Sequence, residues 1–325
     1  MMQSILVTGG TGFLGRAVIE ELLKSHPEAA LRSLSLPGEY VPEHWAGRID
    51  VVSGNITVAD DVAEALTGVD TVIHLASLLG AGDYQAHLAV TAGGTDLVLR
   101  HALEQNTRTV VVSSIAVYGD HVRDRICDET VNHGPQYGPY CLAKQQQEAI
   151  AFHYARRRGA NCCIARPANV YGVGSLPWVN VVAAALHAGA PIIVDEGAGN
   201  AGLVHVEDIA TGLLTLAEAD VRGEAFNVCA QLDITWRDYF ADIAECLAVP
   251  LPKSVPYSAL YDLARQDECP ERRIVPDSYR SIPLATLALI GSDNRFPANK
   301  LRALGWKPKV EHADAMHAIR DSLSV

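Results

Sequence analysis

The chain has 325 residues, of which 49% are hydrophobic, and carries a formal charge of −12. A chain of this size buries a sizeable core and is expected to form two domains, or one large domain with an appended lobe. Its acidic balance leaves no basic footprint for nucleic acid. No apolar run reaches the ~18 residues of a membrane span, so a small molecule is the expected partner.

The N-terminal "MMQSILVTGG" passes from a polar start into an apolar run closed by glycines, with no cationic segment or cleavage site. It reads as a first strand rather than a signal peptide, which implies a cytoplasmic protein. Further strands are expected at "LRSLSL", "DVVSG", "TVIHLA", "TVVVSS" and "NCCIARP", with helical periodicity between them in "FLGRAVIEELLKS" and "GTDLVLRHALEQN". Continuous apolar strands alternating with amphipathic helices imply an α/β fold, a doubly wound parallel sheet covered on both faces. Beyond about residue 170 prolines and glycines cluster, and "GLVHVEDIATGLLTLAEA" returns to strand and helix. The expected organisation is a sheet domain over 1–170 plus about 203–228, and a smaller C-terminal lobe over about 171–202 and 229–325. "VPLPKSVPYSALYDLARQ", apolar and broken by prolines, reads as a packing segment or a pocket wall. The seven cysteines are odd in number and include no C-x-x-C pair, and the twelve histidines have no metal-ligand spacing. The cysteines therefore read as reduced thiols.

Two local patterns carry chemistry. In "TGGTGFLGR", Gly9, Gly12 and Gly15 follow a strand and open a helix, the arrangement that lets a backbone approach a pyrophosphate. In "YGPYCLAKQQQEAI", Tyr140 and Lys144 stand four apart on what reads as one helix face, and only six lysines occur in the chain. A free tyrosine has a pKa near ~10, so it works as a base at neutral pH only where a nearby cation favours phenolate.

Taken in order, "TGGTGFLG", "HLAS", "SSIAVYG", "YCLAK", "RPANVYG", "VHVEDIA" and "DNRFPANKLRALGWKP" resemble the extended short-chain dehydrogenase/reductase family, also called the NAD-dependent epimerase/dehydratase family. The resemblance covers about residues 4 to 320, and the second half is most similar to the hydroxysteroid-dehydrogenase-like and dihydroflavonol-reductase-like branch. It implies a Rossmann fold with a C-terminal substrate lobe, NAD or NADP as cofactor, and a small-molecule substrate, and it allows a homodimer. By the same resemblance Tyr140 is the general acid/base, Lys144 lowers its pKa and holds the nicotinamide ribose, and Ser114 polarises the substrate oxygen, with Ser113 as the alternative. The implied cofactor contacts are Gly9, Gly12, Phe13, Leu14 and Gly15 in the loop, and Asn55 and Ile56 after the third strand. They continue through Leu75, Ala76 and Ser77 after the fourth strand, Tyr140 and Lys144, and Pro167, Asn169 and Val170 near the sixth.

The chain also departs from the family pattern. "SLSLPGEY" places neither an acid nor an arginine at the end of the second strand, which tilts the cofactor expectation slightly to NAD. Asn55 replaces the usual acid after the third strand, and Thr91 replaces the asparagine of N-x-x-G-T, where a proton relay is usual. Ile115 and Ala116 stand where sugar-nucleotide dehydratases carry an acid pair, which discounts that chemistry. "GNAGLVHVEDI" lacks the arginine that grips a nucleotide-sugar diphosphate, although Asn169 is shared with epimerases and Arg272, Arg273 or Arg280 can supply charge. Asp208 reads as a helix cap and Arg166 as a backbone anchor. The expected reaction interconverts a secondary alcohol and a ketone. Nucleotide-sugar epimerisation with tightly bound NAD is the alternative, and a non-catalytic cofactor-binding protein the third reading.

Overall fold

A computed structural model describes residues 2–80, 82–135, 137–267 and 282–324. The first half alternates strands and helices: β1 (Ser4–Thr8), α1 (Phe13–Ser25), β2 (Ala30–Ser35), β3 (Ile49–Ser53), α2 (Ala59–Leu66) and β4 (Thr71–His74). A helical run follows, composed of α3 (Tyr84–His87), a π-helical stretch (Leu88–Gly93) and α4 (Gly94–Glu104). Then come β5 (Arg108–Val112), the long α5 (Gly138–Arg158) and β6 (Cys162–Pro167). After β7 (Asn169–Tyr171), α6 (Val181–His187), β8 (Leu203–His205) and α7 (Val206–Glu218), β9 (Ala225–Val228) rejoins the main sheet beside β6. Helices α8 (Trp236–Leu247), α9 (Tyr257–Asp267), α10 (Leu284–Ile290), α11 (Asn299–Ala303) and α12 (His312–Leu323) complete the chain. Among the described residues no helix is long and apolar enough to cross a membrane.

All seven strands of the main sheet run parallel in the order β3-β2-β1-β4-β5-β6-β9. The six strands expected from the apolar runs are all present. Because side chains alternate across a strand, Ile5 and Val7 of β1 pack with Val18, Ile19 and Leu22 of α1 and Ile209 and Leu213 of α7. Leu6 points the other way, toward Val62 and Leu66 of α2 and Val98 of α4. Both faces are thus covered, as a parallel sheet requires. The strand order reverses at β1 and β4, and the crevice outside their carboxyl ends is where such sheets hold ligands.

A second core gathers Tyr171, Trp178, Val179, Trp236, Phe240, Ile243, Leu287 and Ile319 from the segments after β6. The Trp178 and Trp236 rings lie 5.0 Å apart, and Trp236 stacks on Phe240 at 5.4 Å. Beside it β8, the strand expected in "GLVHVEDIA", pairs in parallel with β7 to form a two-stranded sheet. Asp208 is not the cap of α7: that place belongs to His205, whose side chain accepts from the Glu207 amide at 3.4 Å. The Asp208 carboxylate reaches out of the helix to accept from the Lys309 and Val310 amides at 2.7 and 3.4 Å, clamping the C-terminal segment onto α7.

Candidate active site

The glycine loop joins β1 to α1 at the strand-order reversal. Gly9 adopts φ +70°, and a Cβ there would lie 3.1 Å from the Ala76 amide nitrogen, so the loop rests against the chain leaving β4. Gly15 packs so closely that a Cβ would overlap the Gly9 carbonyl and the Gly10 backbone. Gly12 is different. It stands at the N-cap of α1 with no side chain capping it, and a Cβ would meet only the Gly9 oxygen, at 3.3 Å. The first-turn amides of Phe13, Leu14 and Gly15 therefore open onto free space at the positive end of a helix, a ready anion site.

The other expected cofactor contacts line the same edge. Ile56 is buried against the α2–α4 side of the sheet, and Asn55 opens the turn into α2 by accepting from the Thr57 amide and hydroxyl at 3.0 and 2.9 Å. Its side-chain oxygen is thereby committed and its amide nitrogen remains. The Leu75 and Ala76 amides donate to the Thr8 hydroxyl at 3.2 Å each, and the Ser77 hydroxyl meets that of Thr91 at 3.2 Å. Two further groups arrive here: Glu39, which the strand-end reading missed, and Arg16, which with Arg32 is the expected partner of a 2′-phosphate were NADP preferred. Glu39, four residues beyond β2, accepts from the Thr11 hydroxyl. Arg16 donates to the Thr11 carbonyl at 2.7 Å and lies over the Tyr40 ring at 5.1 Å. Arg32 is committed elsewhere, to Asp50 at 2.8 Å and to the Ala65 and Thr67 carbonyls.

Tyr140 and Lys144 lie on the first turns of α5, which Pro139 starts near its N-terminus, where a missing amide costs nothing. Ser114 follows β5, accepts from the Ala116 amide at 3.1 Å and lies close enough to the Tyr140 phenol to oppose the rise in its pKa. Ser113 does not share this place: its hydroxyl is buried and has no partner among the described residues. The Lys144 ammonium stands 5.8 Å from the Tyr140 ring centre and donates to the Val112 carbonyl at 2.9 Å and to Gln147 Oε1 at 3.0 Å. Burial lowers the lysine to about 7, against an opposing pull from Glu148. Burial also pushes the phenol up to about 12, with Ser114 working the other way. The expectation of a phenol lowered by its lysine is therefore not met in this arrangement, because desolvation outweighs the opposing effect of Ser114.

Arg166, read as a backbone anchor, instead pairs with Glu148 through two bonds of 2.9 and 2.7 Å and donates to the Tyr118 hydroxyl at 3.0 Å. Pro167 ends β6. Asn169 and Val170 begin β7, and the Asn169 amide donates to the Ala201 carbonyl at 2.7 Å, so its nitrogen serves the fold. Thr91 lies within the π-helical stretch, with its hydroxyl also accepting from the Leu78 amide at 3.3 Å. His87, which no pattern marked, is fully buried with its ring 6.4 Å from that of Tyr140. Arg272, Arg273 and Arg280 lie outside the described residues.

A dinucleotide fits this surface, because the space a Cβ would fill at Gly12 and the uncapped turn beside it form a cradle for a pyrophosphate. Fold and cradle together define a Rossmann-type dinucleotide-binding protein. The profile of the NAD dependent epimerase/dehydratase family matches residues 5–229, and the chain belongs to that family. It is an NAD(P)-dependent enzyme of the extended short-chain dehydrogenase/reductase class. Among curated proteins it is 28% identical over 235 residues to the uncharacterized protein y4nG of Sinorhizobium fredii, a match covering 71% of this chain and 57% of that protein. It is 23% identical over 350 residues to 3beta-hydroxysteroid-dehydrogenase/decarboxylase isoform 1 of Arabidopsis thaliana, covering 98% of this chain and 79% of the relative. Among solved structures, a double mutant of the dTDP-glucose 4,6-dehydratase DesIV from Streptomyces venezuelae, with NAD bound, shares the fold at a TM-score of 0.76 and 24% identity, covering 98% and 96% of the two chains.

Proposed function

We propose that the protein interconverts a secondary alcohol and a ketone on a small or mid-sized substrate, with Ser114, Tyr140 and Lys144 as its site. The observation that carries this reading is the placement of Tyr140 and a buried Lys144 one turn apart on α5, with the ammonium 5.8 Å from the phenol ring centre and Ser114 beside the phenol. When bound, the nicotinamide supplies or accepts the hydride. Phe13, Leu14 and Gly15 offer amides to the pyrophosphate, Leu75, Ala76 and Ser77 line its path, and Lys144 reaches the ribose. At the substrate, the Tyr140 oxygen gives its proton to the ketone oxygen in reduction and takes the hydroxyl proton in oxidation. The phenol, held near 12, is protonated at neutral pH, which is the donating form. Ser114 steadies the same oxygen.

The lobe of residues 171–202 and 229–325 serves as the substrate lobe in this reading, with the core around Trp178, Trp236 and Phe240 giving it rigidity. For the cofactor we favour NAD over NADP, because the Glu39 carboxylate beside Thr11 repels a 2′-phosphate and suits a ribose diol. Ile115 is buried and Ala116 carries no acid, which argues against a dehydratase.

The test is a panel of ketones and secondary alcohols with added NADH, NAD, NADPH or NADP, followed by nicotinamide absorbance. Turnover that requires added cofactor and is lost in Tyr140→Phe supports the reading. Turnover of nucleotide sugars without added cofactor would instead make the protein an epimerase. Tight NAD binding with no turnover of any substrate class would leave the non-catalytic reading.

A further inference from the structure

Behind Lys144 runs a chain of buried polar side chains whose hydroxyl and ring hydrogens each have one place. The Thr95 hydroxyl donates to the Thr91 carbonyl at 2.7 Å. Having spent its only hydrogen, it can only accept from its two other neighbours, Gln147 Nε2 and His74 Nε2, both at 2.9 Å. The Gln147 amide must therefore turn its nitrogen to Thr95 and its oxygen to Lys144. His74, protonated on Nε2, accepts at Nδ1 from the Thr8 hydroxyl at 2.8 Å, and that hydroxyl accepts from the Leu75 and Ala76 amides. Thr8, His74, Thr95 and Gln147 are all fully buried, so water cannot stand in for any of these bonds.

We infer that Gln147 is the positioning residue for Lys144: its amide, locked in orientation by Thr95, holds the ammonium at a fixed place beneath Tyr140 and ties it through His74 and Thr8 to the strand that carries the glycine loop. The inference rests on the role proposed above for Lys144. A neutral amide suits this place. The ionisable groups around the lysine are Tyr140 and Glu148 on its own helix and His74 from β4, with Arg166 of β6 and His133 reaching it through Glu148. Glu148 is turned to Arg166 and His133, and so leaves Gln147 as the side-chain acceptor that the lysine bonds.

The experiment labels the six lysines with ¹³Cε and follows the cofactor-free protein by NMR across pH, with Lys144 assigned by its absence in Lys144→Met. Gln147→Met, similar in shape but without an acceptor, should lower the Lys144 midpoint by about one to two pH units, the size of one hydrogen bond to a charged group. Gln147→Glu should raise it, since a carboxylate accepts from both Lys144 and a rotated Thr95 hydroxyl. Thr95→Val, which frees the amide to turn, should move it in the direction of Gln147→Met by less. A midpoint unchanged in both folded Gln147 variants would overturn the inference and leave Gln147 as filler. Calorimetric NAD titration separates the two readings: Lys144→Met binding NAD as tightly as wild type would refute the role of Lys144, whereas the Gln147 inference is decided by the midpoints alone.

Discussion

Gly12 and Gly15 both face the carbonyl oxygen of Gly9, but with opposite consequences: a Cβ at Gly12 clears it at 3.3 Å, whereas one at Gly15 would overlap it. The first glycine leaves room for a ligand, and the second lets the helix close on the strand. Gly12→Val is expected to abolish dinucleotide binding while stability stays within about 1 kcal/mol of wild type. Gly15→Ala should cost about 3 kcal/mol or more, because backbone rather than a flexible side chain is in the way. Calorimetry with NAD and urea denaturation on both variants check the pair, and unaltered NAD affinity in Gly12→Val would remove the pyrophosphate from this loop.

Tyr140→Phe removes only the ionisable oxygen, so turnover should fall by about 10²–10⁴-fold with cofactor binding retained. Lys144→Met should damage both, because the group proposed to reach the ribose is lost. Steady-state rates on the true substrate decide the matter. A Tyr140→Phe enzyme keeping more than about a tenth of wild-type turnover would show that another group moves the proton.

Lys144 also leaves a mark on stability. Burial holds it at about 7 in the folded chain, against about 10.4 in an unfolded one. Between these values the unfolded chain binds a proton that the folded chain lacks, so stability rises with pH across the window, by about 1.4 kcal/mol per pH unit. Below about pH 7 both states are protonated and the rise is absent. Denaturation curves of wild type and Lys144→Met at several pH values between about 7 and 10 should differ by this slope, and parallel curves would place the lysine in a less buried setting.

The Glu148–Arg166 pair should dominate the acid side. Burial raises the Glu148 carboxyl, but hydrogen bonds from His133 and Arg166 outweigh it and hold the group at about 2. Its stabilising effect is therefore full above the unfolded value of about 4.3 and is lost as pH falls toward 2. Glu148→Gln strands a guanidinium that is 4% exposed and should cost about 3–5 kcal/mol at neutral pH. The double change Glu148→Leu with Arg166→Met should cost less than Glu148→Gln alone, as measured by urea midpoints.

For the cofactor, paired titrations should find NAD affinity at least equal to NADP affinity. Glu39→Ala should raise NADP affinity relative to NAD by about tenfold, the effect of removing one close like charge. A clear NADP preference in the wild-type protein would transfer the 2′-phosphate to Arg16, whose guanidinium lies beside the same loop.

The sequence by itself determined the sheet. Six apolar runs became β1 to β6 because a strand buried on both faces needs unbroken hydrophobicity, a signal that needs no tertiary context. The glycine spacing and the Tyr140–Lys144 pair were equally legible, since a tight turn and a shared helix face are local geometry. Other features depended on segments meeting from far apart in the chain. Glu39 reaches Thr11 across 28 residues, Thr95 meets Gln147 across 52, and Asp208 receives the Lys309 amide across 101. No periodicity records such meetings. The family resemblance already favoured Ser114 over Ser113, and only the fold shows the Ser113 hydroxyl buried without a partner among the described residues. It also decided that Lys144 lies in a dry pocket, where desolvation rather than sequence neighbours sets its charge.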